Sequence, residues 1–311
     1  MKAILITGIG GFLGRHIARH FVANGWQVTG IDALADPQLG TNIRYTQLAL
    51  PSPALPDFLV RARPDVCIHC AGSASVPLSM SDPANDFRAN VGLTFEMLDA
   101  LRQHAPKCRF ILLSSAAVYG NPKTLPIDEK QHLAPMSPYG FHKRQCELLC
   151  QEFSRIYDLP TVSARIFSAY GPGLRKQVVW DICERLLTKG ALSLKGTGRE
   201  SRDFIHPADI AAALALLAEK APADGEIYNV ASGRETTIAY LAALLASTLG
   251  VDATAKFDGE VRAGDPLNWR ADIGRIAALG FAPGVTLEAG IAEAAQWVRR
   301  NADNPVRCAG K

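Results

Sequence analysis

The chain has 311 residues, 48% of them apolar and 20% charged, which is ample for a large core plus a smaller lobe. Its net charge of +3 is slight for this length and no basic block occurs, so the composition argues against a nucleic-acid partner. The first residues lack the charged and apolar regions of a signal peptide, and no apolar stretch is long enough to span a bilayer; a cytoplasmic protein with no membrane partner is expected.

Residues 3–7, Ala-Ile-Leu-Ile-Thr, form an apolar run without polar alternation, as a parallel strand covered on both faces requires. Gly8-Ile-Gly-Gly-Phe-Leu-Gly14 then opens a segment with Ile17, Ala18, Phe21 and Val22 at helical spacing, and Asn24-Gly25 supplies the stop. The reading is strand, tight turn, helix. Glycines there permit the turn and let backbone N–H groups approach a pyrophosphate, to which the helix N-terminus offers partial positive charge. A second strand, Gln27 to Ile31, ends in Asp32, eighteen residues after Gly14 and close to the place of a ribose-binding acid. Its carboxylate would accept hydrogen bonds from a 2′-hydroxyl and repel a 2′-phosphate, so the expected cofactor is NAD rather than NADP. Arg15 is read as an exposed side chain of the first helical turn.

Cys67-Ile-His-Cys70 has the outline of a metal motif, but residues three apart on one strand point to opposite faces, which defeats chelation. The seven cysteines read as small hydrophobes in a reducing compartment, and no metal is expected. Cys108 to Leu113 is another buried strand. Ser114-Ser115-Ala-Ala-Val-Tyr119-Gly120 follows at its C-terminal end, where open α/β sheets bind ligands. Ser115 is the candidate to share a hydrogen bond with a substrate oxygen, and Ser114 is its rival.

Ser137-Pro138 looks like an N-cap followed by proline at the first helical position, which puts Tyr139 and Lys143 in the opening turns of a helix. Four residues apart, they share one face. A cation at about 4 Å in an effective dielectric near 20 favours a phenolate by roughly 4 kcal/mol. Lys143 with an oxidised nicotinamide would therefore let Tyr139 act as base and acid in turn. Thr161 to Phe167 supplies a sixth strand, and Ile227 to Val230 reads as one more.

The ordered set of motifs resembles the extended short-chain dehydrogenases/reductases that act on nucleotide sugars, with UDP-glucose 4-epimerase as the nearest pattern. Nearly the whole chain takes part, through Thr7–Gly14, Asp65–Gly72, Ser115–Gly120, Tyr139–Lys143, Arg165–Pro172, Arg202–His206 and Arg262–Asp265. The resemblance implies catalysis by Ser115, Tyr139 and Lys143. It implies a dinucleotide held by Gly8, Gly11, Phe12, Leu13, Gly14, Asp32, Ala71, Asn90 and Lys143. On the substrate side it implies Ser168, Gln177, Arg202, Arg262 and Trp269, with the two arginines on the diphosphate. Trp269 matches a gate whose bulk crowds out an N-acetyl group at C2. Arginine suits phosphate because its fork donates bidentately.

Two departures bear on substrate rather than chemistry. Ser168 stands where the family usually has asparagine, and Thr46-Gln47 where a Gly-Asp pair commonly touches adenine. Ala116-Ala117 stands where the family's dehydratases and decarboxylases carry an acid, which argues against both activities.

The expected fold is α/β, a Rossmann-type doubly wound parallel sheet with a smaller mixed α/β substrate lobe. Residues 1–167, with a return segment near 224–231, form the cofactor domain; 168–223 and 232–285 form the lobe; 286–301 is a C-terminal helix and 302–311 a polar tail. The expected function is NAD-dependent epimerisation of a nucleotide-diphosphate sugar, chiefly a UDP-sugar, at C4 through a keto intermediate. A 4-keto-sugar reductase and a non-catalytic dinucleotide sensor are the alternatives. By resemblance, the Tyr139 helix and the segment 84–104 pair across a two-fold axis in a homodimer.

Overall fold

The computed structural model describes residues 2–260 and 266–301. Six strands, β1 (Ala3–Thr7), β2 (Gln27–Asp32), β3 (Ile43–Gln47), β4 (Val66–His69), β5 (Arg109–Ser115) and β6 (Thr161–Ile166), are joined by an edge strand at Asp224–Val230. From that edge the order is β6, β5, β4, β1, β2, β3, and every pairing is parallel. This is the strand order of a dinucleotide-binding sheet, with its crossover point between β1 and β4.

The unbroken apolar runs are explained by two cores. Ile4 and Ile6 face one cluster and Leu5 the other, and Ile111 and Leu113 alternate with Phe110 and Leu112 in the same way. One face is covered by helix α1 (Phe12–Ala23) and by the helix Pro207–Lys220. The opposite core holds residues of the helices Leu55–Ala62, Leu93–His104 and Pro138–Tyr157. The expected cap of the last helix is present: Ser137 Oγ accepts from the Gly140 N–H at 3.2 Å, with Pro138 in the first position.

The helix Pro207–Lys220 corrects the expected boundary of the lobe. The expectation puts residues 168–223 in the lobe as a block, yet Ile210, Leu214 and Leu217 of this helix lie in the core of the main sheet. The segment is apolar almost all round, so its periodicity carries no sign of which body it packs on. The lobe itself has a separate core, in which the helices Gln177–Lys189, Ile238–Leu249 and Leu287–Asn301 pack together. Two-stranded pairs tie its loops down, including Ser168–Ala169 with Phe204–Ile205 and Ser201–Arg202 with Thr236–Thr237. Among the described residues, no helix is long and apolar enough to cross a membrane, and no group of three His, Cys, Asp or Glu is placed to hold a metal.

Candidate active site

The glycine turn is close-packed. Gly8 has φ +65°, and a Cβ there would lie 2.7 Å from the Ala71 nitrogen; one on Gly14 would lie 2.4 Å from the Gly8 carbonyl oxygen. Neither position admits a larger residue. Gly11 caps α1 with no side-chain bond and no acid follows in the first turn, so the leading N–H groups of Phe12 and Leu13 face outward without an internal competitor. That cradle is suited to an anion.

Asp32 ends β2 beside the turn. Its Oδ2 accepts from the Gly10 N–H at 2.9 Å and its Oδ1 from the Leu34 N–H at 3.2 Å. Arg15 is half-buried rather than exposed, and its Nε donates to the Gly10 carbonyl at 2.7 Å, which makes it a brace of the glycine turn. Thr7 couples β1 to β4: its hydroxyl accepts from the Ala71 N–H at 3.2 Å and lies 2.8 Å from His69 Nδ1. Burial, followed by the nearby Lys143 charge, pushes the His69 imidazole down to about 3. It stays neutral in the fold.

Strand alternation separates the two serines. Ser114 is buried and donates to Glu147 Oε1 at 2.5 Å, whereas Ser115 is half-buried and caps the short 3-10 turn Ala116–Val118 through the Ala117 N–H at 3.2 Å. Lys143 is buried, donates to the Leu113 carbonyl at 3.1 Å, and holds its Nζ 5.9 Å from the centre of the half-buried Tyr139 ring. The end of β5 that carries Ser115 thus packs against the start of the long helix that carries Tyr139 and Lys143. Asn90 is buried in a π-helical turn; its Nδ2 donates to the Asp86 carbonyl at 3.0 Å, and its Oδ1 has no protein partner. That orphan oxygen would lie 3.0 Å from a Cβ on Gly72, in the loop after β4.

On the lobe side, Ser168 pairs with Phe204, and Gln177 is exposed at the first position of its helix with φ +70°. Arg202 lies 5.6 Å above the Trp269 ring. Trp269 itself is 9% exposed and donates from Nε1 to the Gly120 carbonyl at 3.0 Å. Asp203, next in the chain, turns inward and accepts from the Ser232 N–H and hydroxyl and from the Gly233 and Ala271 N–H groups. Arg262, with the rest of its motif to Asp265, lies outside the described residues.

Residue spacing does not reveal two polar contacts behind the site. His142 Nδ1 lies 2.6 Å from the buried Asp86 carboxylate, and Arg165 forms a buried ion pair with Glu147 at 2.7 Å. The available signal was an arginine in the middle of an otherwise uncharged, fully buried strand, which demands a partner.

A glycine cradle on the first strand of a doubly wound sheet, with a serine, tyrosine and lysine gathered at its C-terminal edge, defines a dinucleotide-dependent enzyme of the short-chain dehydrogenase/reductase type. The chain belongs to the NAD dependent epimerase/dehydratase family, whose model matches residues 4–231. It is 28% identical over 306 residues to a putative UDP-glucose 4-epimerase of Methanocaldococcus jannaschii, covering 96% of this chain and 99% of that protein. It superimposes with a TM-score of 0.88 on UDP-glucuronic acid 4-epimerase from Bacillus cereus, solved with UDP-glucuronic acid and NAD, at 26% identity over 96% of this chain and 99% of the other. The UDP-glucose 4-epimerase of Thermotoga maritima, solved with UDP-glucose, also gives 0.88, at 28% identity over 97% and 100% of the two chains. The cofactor of the family is NAD, and the outward-facing α1 N-terminus, the Asp32 carboxylate and the orphan Asn90 oxygen fit it.

Proposed function

We propose that the protein is an NAD-dependent epimerase that inverts C4 of a UDP-sugar. The observation that carries this reading is the buried Lys143, tied to the strand that ends in Ser115 and set beside the Tyr139 ring. When bound, NAD supplies a hydride acceptor that later becomes the donor. Tyr139, as phenolate, takes the proton of the 4-hydroxyl while Ser115 hydrogen-bonds the same oxygen. The Lys143 charge stabilises the phenolate and leaves N–H donors for the ribose. After the 4-keto sugar turns over in the site, Tyr139 returns the proton to the oxygen and the opposite C4 configuration results. Gly8, Gly11, Phe12, Leu13, Gly14, Asp32, Ala71 and Asn90 are the proposed cofactor contacts. Ser168, Gln177, Arg202, Arg262 and Trp269 are the proposed substrate contacts.

The proposal includes a homodimer. Phe95 on one helix and Phe141, Leu148 and Ile156 on the next are exposed large apolar side chains, on the pair of helices that would meet their copies across a two-fold axis. It also includes a cytoplasmic location, with which free, buried cysteines such as Cys67, Cys146 and Cys150 agree. The test is incubation of purified protein with UDP-glucose, UDP-glucuronic acid and UDP-N-acetylglucosamine, with both C4 epimers resolved. Interconversion without net NADH consumption supports the epimerase. Stoichiometric NADH consumption on a keto sugar would mark a reductase instead.

A further inference from the structure

A single guanidinium behind the site grips two of its parts. Arg165, on β6, is 1% exposed; its Nε and Nη2 donate to the two carboxylate oxygens of Glu147 at 2.9 and 2.7 Å. From the other edge, Nη1 donates to the Tyr119 hydroxyl at 2.9 Å and to the Glu129 carbonyl at 3.2 Å. Burial pushes the Tyr119 phenol up, so it remains neutral and donates onward to Asn229 Oδ1 at 2.6 Å.

The two parts are the ones whose spacing the reaction needs. Glu147 follows Lys143 by four residues, as Lys143 follows Tyr139, so the gripped carboxylate sits on the helix of the base. Tyr119 closes the turn that starts at Ser115, and Ser114 adds a direct strand-to-helix bond to Glu147 at 2.5 Å. Burying both charges carries a desolvation cost that apolar side chains of like volume avoid, so stability alone gives no account of the pair. A bidentate fork instead fixes orientation, because both N–H bonds are met in one geometry only.

We propose that Glu147, Arg165 and Tyr119 act as one positioning unit, in which Arg165 ties the helix to the turn through Tyr119 and so sets the gap between the Ser115 hydroxyl and the Tyr139–Lys143 pair; the inference rests on the epimerase reading. Two variants test it. Tyr119→Phe removes one hydroxyl and leaves the Glu147–Arg165 pair in place, while Arg165→Lys keeps the charge and loses the fork. Both are expected to lower kcat by roughly 10- to 100-fold, the scale of a displacement of about 1 Å, with KM and the NAD Kd within about twofold of wild type. Amide exchange in the NAD-bound protein should rise together in residues 115–119 and 138–143. Unchanged kcat in folded Tyr119→Phe, or losses shared equally by KM and NAD affinity, would overturn the inference. Should Arg165→Lys not fold, Tyr119→Phe alone decides. If the wild type turns over no UDP-sugar, the epimerase reading fails, and the paired exchange response decides the positioning role by itself.

Discussion

Lys143 donates to the carbonyl oxygen of Leu113 at 3.1 Å, which anchors a buried ammonium to the strand two residues before Ser115. One of its three N–H donors is thereby engaged, and the others are left for a ribose and for the Tyr139 oxygen. Tyr139→Phe should therefore bind NAD normally yet lose turnover by at least ~100-fold, the scale of a missing general acid or base. Lys143→Ala should lose both turnover and NAD affinity. Near-wild-type turnover in Tyr139→Phe would defeat the assigned chemistry.

The role proposed for Asp32 is to set the choice of cofactor. Each of its oxygens holds one loop N–H, from Gly10 and from Leu34, and each keeps a further acceptor site for a ribose hydroxyl. NAD should bind at least about tenfold more tightly than NADP, a difference of about 1.4 kcal/mol, and Asp32→Ala should narrow the gap. Equal dissociation constants in the wild type, measured by titration, would mean that Arg15 outweighs the carboxylate.

Assembly is tested by the exposed helix faces. Phe141, Leu148 and Ile156 recur seven and eight residues apart along one helix, the spacing of a single stripe. Light scattering at micromolar concentration should give twice the chain mass, and Leu148→Glu with Ile156→Glu should halve it. A wild-type monomer would remove the homodimer from the proposal.

The sheet was legible because both of its faces are covered: strands such as Ile4–Ile6 and Phe110–Leu113 show as unbroken apolar runs whichever core each residue enters. Gly8, Gly14 and the Ser137 cap were legible for a local reason, since backbone geometry restricts which residue fits. What stayed hidden depends on distant closure. Tyr119 meets Asn229 across 110 positions and Trp269 meets Gly120 across 149, and nothing in either neighbourhood encodes the partner. The placement of Pro207–Lys220 was hidden by uniformity, because an Ala-rich helix fits either body equally.

Acid sensitivity should trace in part to His69. Its folded value near 3 lies below the ordinary 6.5, so between those limits the unfolded chain binds more protons than the native one. Stability from this site is therefore full above about pH 6.5 and falls on acidification, by up to roughly 1.4 kcal/mol per pH unit. Urea unfolding from pH 7 to 4.5 should show a shallower pH slope in His69→Leu than in wild type. Identical slopes would place the acid response elsewhere.

Trp269 is held from three sides. Its Nε1 is bonded to the Gly120 carbonyl at 3.0 Å, the Phe167 ring centre lies 5.9 Å away, and the Arg202 guanidinium stands 5.6 Å above its face. A ring fixed in this way makes a rigid wall rather than a side chain that swings aside for a larger sugar. If it borders the C2 substituent, UDP-glucose or UDP-glucuronic acid should exceed UDP-N-acetylglucosamine in kcat/KM by at least about tenfold, within the range that one steric contact supplies. Trp269→Ser opens space at a cost in stability of several kcal/mol, about that of other large-to-small core changes, so the informative quantity is the ratio between substrates measured on one preparation. That ratio should move toward the acetylated sugar in the variant. A wild-type enzyme that prefers UDP-N-acetylglucosamine, or a ratio unmoved by Trp269→Ser, would reduce Trp269 to a packing residue and leave the C4 chemistry standing.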